Sequence, residues 1–298
     1  MHAIGIDIGG TRIKAVVIDK DGNLLHHVYC NTEDGADMRW RETVTDLVLE
    51  LRTGFSNREM VLGISAPGLP DETNSVIAYM PGRMQGLEQY NWKEKLQLPT
   101  LVLNDAVSAM VAESRFGAAK RKQSALLITL GTGVGGAIMI DGKPYQGAFN
   151  KAGHIGHMVI DDNGDADVTG MPGSLEECIG ECTLEKRSGG KYRHTIELIE
   201  AVKNGEVFAI SVWEKSVRQL ALGIASLTNI LSPQTVVLGG GITSAGPLLF
   251  DRLNEHMEKF EWRTGGRKTE IVKAVFGDLA GAVGAAFFAM DQYQPKNV

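Results

Sequence analysis

The residues of this chain best suited to chemistry are one carboxylate and two glycine-threonine turns. Asp105 lies in NDAVSAM, after the apolar run TLVL and before Val107, Met110 and Val111 at helical spacing. It therefore stands where a strand hands over to a helix. The turns are Gly9, Gly10 and Thr11, and Gly131, Thr132 and Gly133. Glycine lets backbone amides come close to an anion, so both turns suit a phosphate. Asp7 ends the strand before the first turn and suits Mg²⁺ held through water, since that ion keeps most of its hydration shell. Gly239, Gly240 and Gly241 would let a nucleotide lie against bare backbone. A carboxylate placed among such turns points to phosphoryl transfer.

Each of these residues has a plainer reading. Asp at a strand-to-helix junction commonly caps the helix, and position alone does not separate a cap from a general base. GTGVGG also fits the dinucleotide fingerprint through Gly131, Gly133 and Gly136, but that site needs a helix after the turn. Here AIMIDGKPY follows, which reads as strand and hairpin, so a dinucleotide site is set aside. His154 and His157 suggest a metal, yet no further ligand set is evident. Cys178 and Cys182 fall on one helical stripe and read as buried thiols. Glu176 lies in a helix's first turn, where the helix dipole alone would favour it.

The elements that position these groups repeat. AIGIDIG, a glycine turn, IKAVVID, the turn DKDGN and LLHHVY predict three strands. About 120 residues later SALLITL, GTGVGG, AIMI, DGK and PYQG repeat strand, Gly-Thr turn, strand, Asp-Gly turn and strand. The coincidence of turn chemistry at both corners predicts a duplication, with two similar α/β domains presenting two phosphate hairpins to one cleft. The expected domains are residues 1–118 and 119–278, with a small-residue helix over 279–298 packing on the first. Between the hairpins, Trp40, Val44, Leu47, Val48 and Leu51 mark a helix and MVLGISAPG a buried strand. SLEECIGECTLEKR predicts one helix opened by a capping box of Ser174 and Glu177. A long helix ends before Pro233, QTVVLGGGI is a strand, and AGPLLFDRLNEHMEKF is a helix with Pro247 in its first turn.

Composition narrows the function classes. Hydrophobic residues at 43% and charged residues at 22% are ordinary for a globular chain. The net charge of −6 and the lack of clustered Lys and Arg argue against nucleic acid. Three cysteines form no disulfide framework, the apolar runs fall short of a spanning helix, and Met1-His2 leads straight into the first strand. A cytoplasmic location with no membrane partner is the expectation.

Together the motifs carry a resemblance. DIGGT, GISAPG, LNDA, LITLGTGVGG, GHIGHM, VVLGGGI and AGAVGAA occur in the order found in the ROK group of bacterial sugar kinases, within the actin and hexokinase superfamily. The likeness runs over nearly the whole chain. It implies two related ribonuclease H-like (actin-like ATPase) domains facing a central cleft, and phosphorylation of a hexose hydroxyl, usually O6, with MgATP. On this resemblance Asp105 is the general base, Gly68, Asn104, His154, His157 and Glu176 bind the sugar, the two glycine turns hold the phosphates, and the 239–241 trio flanks the adenosine. It also implies a homodimer.

Departures from the pattern are informative. Many family members hold a structural zinc on the histidine matching His157 and three cysteines. Here Asp167, Thr169 and Ser174 stand at the cysteine positions, and neutral hydroxyls cannot replace zinc thiolates, so no structural zinc is expected. His154 stands where glucokinase-like members have glutamate, and Gly82 and Val107 replace asparagines common in the family. The sugar pocket has changed more than the phosphate machinery. The sequence reading is an ATP-dependent hexose kinase, glucokinase-like; a catalytically weak sugar-sensing or regulatory ROK protein is the alternative.

Overall fold

The structure is a computed structural model that describes residues 1–33, 35, 37–55, 59–80 and 84–293. Gly82, one of the departures noted above, lies outside the described residues. In chain order the main elements are β1 (His2–Ile8), β2 (Arg12–Asp19), β3 (Leu24–Asn31), α1 (Arg39–Gly54), β4 (Met60–Ala66), β5 (Leu69–Pro70), β6 (Ile77–Tyr79), α2 (Trp92–Leu96), β7 (Thr100–Asn104) and α3 (Asp105–Phe116). They continue with β8 (Ala125–Leu130), β9 (Val134–Ile140), β10 (Lys143–Tyr145), α4 (Leu175–Ile179), α5 (Leu184–Arg187), α6 (Thr195–Lys203), α7 (Val207–Leu231), β11 (Thr235–Gly239), α8 (Pro247–Phe260), β12 (Glu270–Lys273) and α9 (Ala280–Gln292). The chain divides into one unit of residues 1–121, 143–152 and 275 onward, and a second of residues 122–142 and 153–274.

In the first unit the strand order is β3-β2-β1-β4-β7. β1 pairs antiparallel with β2 and parallel with β4, and β4 pairs parallel with β7. Alternation along β1 sends Ile4, Ile6 and Ile8 to a core shared with Trp40, Val44 and Val48 of α1. The opposite face meets α9, and the glycines of β1 and β4 explain how closely. A Cβ on Gly5 would lie 1.9 Å from Ala282 O, and one on Gly63 1.9 Å from Ala285 O. The alanines and glycines of α9 bring its backbone onto the sheet.

Within the second unit four strands, β9-β8-β11-β12, repeat the β2-β1-β4-β7 part of this order. β8 pairs antiparallel with β9 and parallel with β11, which pairs parallel with β12. Its core is formed by Leu126 and Ile128 of β8, Val236 and Leu238 of β11, and Trp213, Leu220 and Ile224 of α7. Sequence identity between the two halves is slight, yet their strand pairings correspond, as the turn chemistry predicted.

One predicted element is broken. SLEECIGECTLEKR is not one helix: α4 stops at Gly180, which is extended (φ −57°, ψ 145°), and a 3₁₀ turn of Glu181–Thr183 precedes α5. The break moves Cys182 off the stripe, so Cys178 is buried and Cys182 exposed, against the expectation that both are buried. Burial pushes the Cys178 thiol up to about 11, which keeps it protonated and inert. The capping box is half made: Ser174 Oγ accepts the Glu177 amide at 3.4 Å, while the Glu177 carboxylate lies 3.6 Å from Lys186.

Candidate active site

In the first unit the chemistry-bearing residues gather at the carboxyl ends of β1, β4 and β7, the edge where open α/β sheets bind ligands. Asp7 is in register with Ser65 of β4, and Ala66 with Asn104 of β7. Asn104 is the cap of α3: its Oδ1 accepts the amides of Ala106 at 3.0 Å and Val107 at 3.4 Å, and its Nδ2 donates to Gly68 O at 3.1 Å. It is 8% exposed, and one Nδ2 hydrogen remains for a ligand. Asp105 is then relieved of the capping role. It begins the helix with its side chain exposed, and its Oδ1 accepts the Ala106 amide at 2.8 Å. Gly68 holds φ +98°, and a Cβ there would lie 2.7 Å from Tyr79 O.

Two residues at this edge escaped the sequence reading. Ser65 donates its hydroxyl to Asp7 Oδ1 at 2.7 Å, and Lys14 lies 3.1 Å from Asp7 Oδ2 and 3.0 Å from Asp278 Oδ1. Burial works against the Lys14 charge, but Asp7 and Asp278 outweigh it and hold its pKa above the ordinary value. The signal for Lys14 was the hairpin itself: closing Gly9 N onto Arg12 O places Lys14 opposite Asp7. Each Asp7 oxygen keeps a second lone pair, so Asp7 fits a metal's water shell, whereas its Lys14 counter-charge disfavours direct coordination. Gly10 and Thr11 stand exposed at the hairpin tip.

The second unit places its candidates around the ends of β8 and β11. The carbonyls of Gly131 and Thr132 accept the amides of Glu181 at 3.0 Å and Cys182 at 2.8 Å, which anchors the second turn. Glu176 does more than sit in a helix's first turn: its Oε2 accepts the Val134 amide at 2.9 Å and lies beside Gly133. Gly240, at φ +86°, sits so close to β8 that a Cβ would lie 2.2 Å from Leu130 O. Gly239 is paired with Thr129 of β8, and Gly241 begins a 3₁₀ turn.

A 3₁₀ turn of Ile155–His157 brings the rings of His154 and His157 into a stack 6.5 Å apart and 16° from parallel. His157 Nδ1 lies 2.9 Å from Asp167 Oδ2. The other Asp167 oxygen accepts the Thr169 amide at 2.8 Å, the Thr169 hydroxyl at 2.7 Å and the Met171 amide at 3.1 Å. Burial opposes ionisation of Asp167, but donors on Thr169 and His157 outweigh it and hold the carboxyl well below its usual range. This donor set does not fit zinc: the imidazole and carboxylate are bonded to each other, and the remaining family positions offer hydroxyls. Among the described residues no group of three or more His, Cys, Asp or Glu is placed to hold a metal, and no helix is long and apolar enough to cross a membrane.

Comparison with known proteins identifies the family and the fold. The ROK family profile matches residues 3–292. The glucokinase of Streptomyces coelicolor is 28% identical, covering 97% of both chains. The ROK hexokinase of Thermus thermophilus superposes with a TM-score of 0.88 at 28% identity, over 98% of this chain and 100% of its own. A ROK glucokinase from Streptomyces griseus, solved with glucose and AMPPNP, gives 0.78 at 27% identity, over 98% and 100% of the two chains. The chain belongs to the ROK family and has its actin-like ATPase fold.

Proposed function

We propose that this chain is an ATP-dependent sugar kinase that phosphorylates a hexose hydroxyl, O6 in the first instance. The observation that carries the reading is the division of labour at β7: Asn104 caps α3, and the neighbouring exposed carboxylate of Asp105 is left at the ligand-binding edge of the sheet. The complex of one glucokinase relative with glucose and an ATP analogue supports the chemical class.

In this reading Asp105 accepts the proton of the attacking hydroxyl as the oxygen bonds to the γ-phosphorus and ADP leaves. The amides of the Gly9 to Thr11 and Gly131 to Gly133 turns take the phosphates, and the Gly239 to Gly241 backbone lies against the adenosine. Gly68, Asn104, His154, His157 and Glu176 orient the sugar. Asp7 would hold the Mg²⁺ of MgATP through water, and the ion would supply charge neutralisation at the phosphates. The phosphoryl transition state needs little covalent help, so positioning and electrostatics carry most of the rate. The protein acts as a cytoplasmic homodimer, and no zinc takes part.

The test is ADP release from MgATP with a panel of hexoses, N-acetylhexosamines and ketoses, with Asp105→Asn run beside the native protein. Turnover of one sugar, lost in the variant, supports the kinase. Sugar binding without turnover above the variant's background would replace it with a sugar sensor, a reading favoured by His154 in the position of a family glutamate.

A further inference from the structure

We infer that Asp167 is a positioning residue that fixes His157 as a hydrogen-bond acceptor for the sugar, through a direct carboxylate contact in the place where relatives use a metal. The inference rests on the sugar-binding role proposed for His157.

The argument begins with Asp167. Its side chain is fully buried, and its Oδ1 is saturated by two donors from Thr169 and one from Met171. The turn that presents it is closed by the Asp167 amide on Met171 O and the Gly170 amide on Asp167 O, both 2.9 Å. The carboxylate therefore cannot rotate without breaking several bonds, and only Oδ2 is turned to His157. An ionised carboxylate has no proton to give, so in the neutral ring Nδ1 must be the donor. The proton on Nδ1 leaves Nε2 as a lone pair. No described residue bonds Nε2, and the His157 side chain is 30% exposed. The ring thus offers ligands an acceptor held in one orientation, which a sugar hydroxyl matches by donating.

A near-isosteric change reverses that polarity. In Asp167→Asn the amide oxygen belongs with the three donors of Thr169 and Met171, so the amide NH₂ must take the Oδ2 position. It then donates to His157 Nδ1, and the ring proton moves to Nε2. A purely structural role for Asp167 would not move that proton.

The experiment is long-range ¹H–¹⁵N correlation on histidine-labelled protein at a pH where His157 is neutral, assigned with His157→Gln, together with sugar kinetics and calorimetry. Native His157 is expected to carry its proton on Nδ1, and Asp167→Asn to carry it on Nε2. The KM for the sugar should rise about 10- to 100-fold, by analogy with the loss seen when a group orienting a metal-ligating histidine is changed. Because the inference gives His157 a part in binding the sugar and leaves the reacting proton to Asp105, kcat at saturating sugar and the KM for ATP should stay within about threefold. A native proton on Nε2 overturns the inference without any variant. So does a variant that keeps the native tautomer, or one that switches it while the sugar KM is unmoved. A native protein that binds the sugar but does not turn it over removes the kinase reading alone. One that binds no sugar of the panel removes both.

Discussion

Asn104 and Asp105 are adjacent, yet their substitutions should give opposite phenotypes. Asn104→Ala removes the two cap bonds to Ala106 and Val107, a loss of about 1 kcal/mol. It also strips Gly68 O of its donor; Gly68 is half-buried and water can reach it, so this adds about 1 kcal/mol, the low end for an unmet carbonyl. A total of about 2 kcal/mol lowers the melting temperature of a unit of this size by about 4 to 8 °C. Asp105→Asn replaces an exposed side chain by one of the same shape that still accepts the Ala106 amide. The lost charge at the helix start costs about 0.3 to 1 kcal/mol of stability. As general base, however, its loss should lower kcat by about 10² to 10⁴ fold. Thermal melting and steady-state kinetics of both variants, with the sugar found in the panel, decide the matter. A kcat within threefold of native for Asp105→Asn refutes the base. Native-like melting of Asn104→Ala refutes the assignment of the cap.

Other consequences follow from the same geometry. Gly63→Ala directs a methyl at backbone 1.9 Å away in α9, which cannot rotate aside, so the helix must shift at a cost of about 3 kcal/mol or more. Gly54→Ala, with nothing within 4 Å, should melt at or above the native temperature, and equal melting of the two would contradict the packing. Asp167 titrates below its unfolded value of about 3.9, so its contribution to stability is complete above that pH and is lost as the pH falls further. The gap in urea midpoint between native and Asp167→Asn should therefore be wide at pH 7 and narrow on acidification; a gap independent of pH would disprove it. Elemental analysis after dialysis should find well under one zinc per chain, and a full equivalent would reinstate the metal.

Much of the fold was legible because its signals are local. Glycine turns need particular backbone angles, strands alternate with period two and helices with period near 3.6, and each of these is written within about ten residues. The duplication was readable for the same reason, since its mark is turn chemistry repeated at two corners. The SLEECIGECTLEKR helix failed where a local pattern met a distant demand: Gly180 leaves the helix so that the amides of Glu181 and Cys182 can hold the carbonyls of the 131–133 turn.

The sequence by itself determined that this chain makes two α/β units of like strand order, with a carboxylate at a strand-helix junction and glycine turns at strand ends. Tertiary structure alone decided what those residues do for one another. Ser65 meets Asp7 across 58 positions of chain, Glu176 meets the Val134 amide across 42, and Asn74 meets the Val102 carbonyl across 28. Such bonds depend on which strands become neighbours and in what register, and that is set by burial of whole faces. Asp167 shows the division at its smallest. Its presence in place of a cysteine was visible in the sequence, but the turn that aims one oxygen at His157 and fills the other exists only once the chain has folded.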